Sequence, residues 1–104
     1  MPYRYRITVE AVPHPEDKAG VETALASPAV QFEAVNHDDL IAIIQTVRAK
    51  RLLETDKAAS LALGLKLFSE VVLEQRQDPM FAPVLGPIRE FIQRLKSYDS
   101  SGKR

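Results

Sequence analysis

Hydrophobic and polar residues alternate from Tyr3 to Val12, with Tyr3, Tyr5, Ile7, Val9 and Ala11 on one side and Arg4, Arg6, Thr8 and Glu10 on the other. A period of two in β-branched and aromatic residues predicts a strand with one wet face. Pro13 and Pro15 end it, and the polar stretch to Gly20 reads as a loop. Val21 to Leu25 fits a short strand or a helical turn equally well, and is read as irregular. Alternation returns at Val30 to Val35, where Val30, Phe32 and Ala34 oppose Gln31 and Glu33. Two such strands pair most simply as an antiparallel hairpin with a long connection.

The period then changes to that of a helix. Asn36-His37-Asp38-Asp39 supplies a start signal: Asn36 suits an N-cap, Asp39 stands three residues on, and both aspartates complement a positive helix terminus. Leu40, Ile43, Ile44 and Val47 form one stripe, flanked by Ile41 and Leu52. Thr55 or Asp56 caps a second helix that runs to about Gln77, where Asp78-Pro79 stops it. On a helical wheel Leu61, Leu65, Phe68 and Val72 sit at the centre of an apolar arc of about 160°, wider than the ~100° stripe of a surface helix. Lys66, Glu70 and Glu74 mark the outward face, joined there by Leu63, while Leu73 lies at the arc's border. Gly64 falls inside the arc, and close approach of another element is the expected reason for it. A third helix begins at Pro87, a first-position residue, and keeps Ile88, Phe91, Ile92, Leu95 and Tyr98 on one face; Phe81 to Leu85 is a preceding turn offset by Gly86.

The fold class that follows is α+β: an N-terminal antiparallel β-hairpin packed on three α-helices, in the order β-β-α-α-α. Residues 1–96 are expected to form a single domain, with the polar residues 97–104 a disordered tail. At 104 residues the chain buries roughly 65% of its unfolded surface. A two-stranded sheet is marginal alone, so the helices cover it or another copy extends it.

Charge narrows the partners. Fourteen acidic and fourteen basic side chains cancel, which gives no general attraction to nucleic acid or to an anionic membrane. No apolar run is long enough to span a bilayer, and MPYRYRITVE lacks the apolar core of a secretory signal. Cytoplasmic residence is expected. Without cysteine there are no disulfides, thiolate nucleophiles or thiolate metal sites.

Candidate chemistry is sparse. His37, Asp38 and Asp39 have the composition of a metal site or a general base, with His14 as a remote second imidazole. Consecutive residues point in different directions around a helix, so a capped helix start is the plainer reading. Tyr3-Arg4-Tyr5-Arg6 resembles a nucleic-acid platform, but the tyrosines share the apolar face while Arg4 and Arg6 point away from it. Arg48, Lys50 and Arg51 suit a solvated helix end better than a phosphate site. The serines lack a nucleophile elbow, and the four glycines are too scattered to cradle phosphate.

YRITVE, the F-E-x-x-N-H-D-D-L run at Phe32 to Leu40, and ALGLKLFSEVVLEQR at Ala62 to Arg76 resemble a small bacterial family catalogued as a domain of unknown function. The resemblance spans Tyr3 to Lys96 and implies a compact α+β domain; it brings no catalytic residues. The expected role is a small non-enzymatic protein-interaction module of the bacterial cytosol, self-associating as a homodimer or meeting a protein partner through Leu63 and Leu73, with no cofactor. The alternative is a small metal-binding protein or enzyme centred on His37, Asp38 and Asp39.

Overall fold

The computed structural model describes residues 2–13 and 27–98. His14, the irregular segment Val21 to Leu25 and the expected tail beyond Tyr98 lie outside the described residues. Among the described residues two strands and three helices follow one another: β1 (Tyr3–Val9), β2 (Val30–Asn36), α1 (Leu40–Ala49), α2 (Thr55–Glu74) and α3 (Ala82–Ser97). The strands form an antiparallel hairpin, so both the α+β class and the element order agree with the periodicity. The described residues divide into two compact units, one within Pro2–Val35 and the other from Asn36 onward.

In the hairpin, alternation decides the faces. Arg4 Nη2 donates to Glu33 Oε1 at 2.6 Å, which puts the even residues of β1 and the odd residues of β2 on one face. Tyr3, Tyr5, Ile7, Val9, Val30, Phe32 and Ala34 therefore share the other, and Tyr3 and Tyr5 stack along it with centroids 6.4 Å apart.

In the helical unit α1 packs on α2, and α2 on α3. The core is built where α1 meets α2: Val47, Ala58 and Ala62 are buried, with Ile43, Ile44 and Leu95 packed around them. Leu40, Val72 and Ile88 are buried as well. Several expectations about the helices are corrected. The cap of α1 is Asp39, whose side chain accepts from the Ala42 amide at 3.1 Å; Asn36 instead closes β2 and is buried. On α2 the buried line runs through Ala58 and Ala62 to Val72, whereas Phe68 is half exposed and Val71 nearly so. The wheel weighed side chains by apolarity, but close helix packing selected the side with the smallest ones, because alanines let neighbouring axes approach. Gly64 has no part in that approach, since a methyl group there would meet nothing within 4 Å.

A further correction concerns α3, which begins at Ala82 with Pro83 in its first turn and continues through Gly86 and Pro87. Pro87 thus lies inside the helix, where it has no amide hydrogen for the Pro83 carbonyl. The turn assigned to Phe81 to Leu85 is the beginning of that helix. α2 also ends earlier than its pattern suggests, at Glu74, and Gln75 caps it through its amide on the Val71 carbonyl. Among the described residues no helix is long and apolar enough to cross a membrane.

Candidate functional site

The polar residues gather where the chain leaves β2 and enters α1. Asn36 anchors this corner: its Nδ2 donates to the Lys66 carbonyl at 3.1 Å, and its Oδ1 accepts the Asp38 amide at 3.1 Å. That second bond is an Asx turn, which holds the backbone of residues 36–38 in a tight bend. His37 and Asp38 are thereby turned toward the middle of α2. His37 Nδ1 lies 2.9 Å from Glu70 Oε2, and Lys66 Nζ donates to Asp38 Oδ2 at 2.6 Å.

The tautomer of His37 follows from its partner. An ionised carboxylate only accepts, so Nδ1 carries the hydrogen and Nε2 keeps its lone pair when the ring is neutral. The Glu70 side chain is only 11% exposed while that of His37 is 71% exposed. A covered carboxylate thus orients an accessible imidazole, an arrangement able to accept a proton or bind a cation at Nε2. The corner borders a hollow of about 290 Å³ that Ser69, Leu73 and Ile88 also line, with Arg89 at its wall.

His37, Asp38 and Asp39 do not converge. They turn to Glu70, to Lys66 and to the Ala42 amide respectively. Among the described residues no group of three or more His, Cys, Asp or Glu side chains is placed to hold a metal ion. Lys66 and Glu70, placed by the wheel on the outward face, are the partners that the corner uses. Their spacing of four residues on one helix face, beside a short acidic run earlier in the chain, was the available signal.

Arg48 and Lys50 are spent locally. Arg48 Nε donates to the Thr55 carbonyl at 3.2 Å, and Lys50 Nζ to the carbonyls of Lys96 and Tyr98 at 3.3 and 3.2 Å. Arg51 turns the chain out of α1 with φ 57°, the left-handed conformation of a residue just past a helix end. Arg4 is held by Glu33, whose hydrogen bond and charge raise the guanidinium pKa above its ordinary value. Arg6 lies on the same exposed face of β1. Arg4 and Arg6 belong to one compact unit, and Arg48, Lys50 and Arg51 to the other.

The apolar positions are distributed differently from expectation. Leu63 and Leu73 are half-buried, and the exposed apolar side chains of α2 are Phe68 and Val71. The larger concentration is on the hairpin, where Tyr3 and Phe32 are each 45% exposed and Val9 and Val30 more so, all on the face opposite Arg4.

A family model described as a domain of unknown function with a solved structure, DUF3861, matches residues 3–97. The chain belongs to that family. It is also similar to a protein of unknown function from Pectobacterium atrosepticum, known from a crystal structure, with 31% sequence identity and a TM-score of 0.72. The likeness covers 92% of this chain and 98% of that one. No curated protein matches the chain.

Proposed function

We propose that this protein is a small interaction module that self-associates through its hairpin. The observation carrying this reading is the apolar hairpin face on which Tyr3, Val9, Val30 and Phe32 remain more than a third exposed. Among the described residues both strands are edges of a two-stranded sheet, and neither seven-residue strand carries the lysine or proline that natural edges use against pairing. Two strands are too few for independent stability; three or more with an apolar face, or packing against a helix, are needed. A second copy, adding its hairpin edge to edge, supplies further strands and packs its apolar side chains beside those that flank the shared edge. Light scattering of the purified chain is expected to give twice the monomer mass, and Phe32→Glu to return it to the monomer while the helical circular dichroism persists. A wild-type monomer at high concentration would sink the reading.

A second reading, a metal-binding protein or enzyme centred on His37, draws support from the Glu70 carboxylate that orients the imidazole. It expects zinc titration to move the His37 ring resonances, and Glu70→Gln to weaken that response. Ring resonances that stay fixed through the titration remove it.

A further inference from the structure

The helical unit holds a second hollow, of about 340 Å³. That volume lies at the lower end of the ~300–1,000 Å³ typical of small-molecule sites. Val47 and Ala62 form its buried floor, and Ile43, Leu65, Ile92 and Leu95 are half-buried walls. The α1 segment alongside is ten residues long, or about 15 Å at the helical rise. Polar clasps stand at both ends of that length. At the start of α1, Lys66 is bonded to Asp38; at its end, Lys50 is bonded to the carbonyls of Lys96 and Tyr98.

Three lysines and one aspartate line the hollow, and the aspartate already serves Lys66. At the other end Lys50 keeps one of its three ammonium hydrogens beyond the two carbonyl bonds. The Lys96 ammonium, exposed at the same end, meets no carboxylate among the described residues. An elongated apolar trough with surplus positive charge at one end fits a ligand with an apolar body and a terminal anion. We propose that the groove binds a medium-chain aliphatic carboxylate, its chain along Val47, Ala62 and Leu65 and its carboxylate between Lys50 and Lys96. An ammonium is a compact point charge with rotatable donors, suited to a terminal carboxylate.

The test is a methyl-resonance titration of the full chain with decanoate below its micellar concentration, with decanol as the uncharged control. Saturable shifts confined to Ile43, Val47, Leu65, Ile92 and Leu95 are expected, with decanol binding more weakly. Lys96→Gln is expected to weaken decanoate about three- to tenfold and Lys96→Arg to restore it, in keeping with a partly exposed charge-assisted contact. Absence of saturation, shifts scattered over the hairpin, or equal binding of decanol and decanoate would overturn the proposal. Because Phe32→Glu lies in the other compact unit, decanoate titration of that variant separates failure of the groove from failure of self-association.

Discussion

A methyl group at Gly64 has open space around it, and this one position separates what a wheel records from what packing needs. Gly64→Ala is expected to stabilise the fold by about 0.8–1 kcal/mol, the usual gain in an exposed helix interior. A higher denaturation midpoint with an unchanged m-value checks it. Asn36 is the opposite case. It is 1% exposed and uses both ends of its amide, so Asn36→Ala is expected to cost about 2–3 kcal/mol from lost hydrogen bonds and a small cavity. Asn36→Asp keeps the shape but sets a carboxylate against the Lys66 carbonyl, and urea unfolding at neutral pH is expected to show a loss at least as large. The role of Asn36 was not legible in the sequence because an asparagine before a helix satisfies capping rules equally well at residue 36 or through a neighbour. Only the position of Lys66, thirty residues away, decides that Asp39 takes the cap.

At the scale of elements, strands were legible because alternation in Tyr3–Val9 and Val30–Asn36 is a local property. Helix existence was legible for the same reason, and the stripe of α1 holds: Leu40 and Val47 are buried and Ile41 is exposed. Orientation of α2 was not. Its apolar arc is wide, so hydrophobicity alone cannot fix which part of it meets α1, and the alanines that did choose weigh less in such a pattern than the leucines and phenylalanine beside them. Nor was the start of α3 legible, because Pro87 satisfies first-position chemistry yet lies inside the helix. Its interior place makes a prediction. Pro87→Ala is expected to stabilise by about 2 kcal/mol, the ~3 kcal/mol interior penalty less up to ~1 kcal/mol of chain entropy that proline removes from the unfolded state. Thermal unfolding of the variant, with its helical signal raised, checks this; a lowered Tm would mean that the proline shapes a bend that the packing requires.

For the whole molecule, self-association links stability to protein concentration. If the hairpins pair, the denaturation midpoint rises as the chain is concentrated, and Phe32→Glu abolishes that rise. The candidate site was half legible: His37 and Asp38 were marked by composition, while their partners Lys66 and Glu70 are supplied by tertiary packing of a distant helix. That packing also has a consequence for time. Lys66 receives Asn36 at its carbonyl and gives its ammonium to Asp38, closing a span of about thirty residues, whereas the contacts of α1 with the start of α2 close much shorter loops. Short loops cost less entropy to close, so the two helices can dock in the folding transition state before the Lys66 latch engages. Disabling the latch then speeds escape from the native state and leaves entry nearly untouched. In a chevron plot Asn36→Ala is expected to lift the unfolding arm about 30-fold for each ~2 kcal/mol lost, with the refolding arm in place. On that expectation, the small latch of Asn36, Asp38 and Lys66 within the helical unit sets how long the native state lasts.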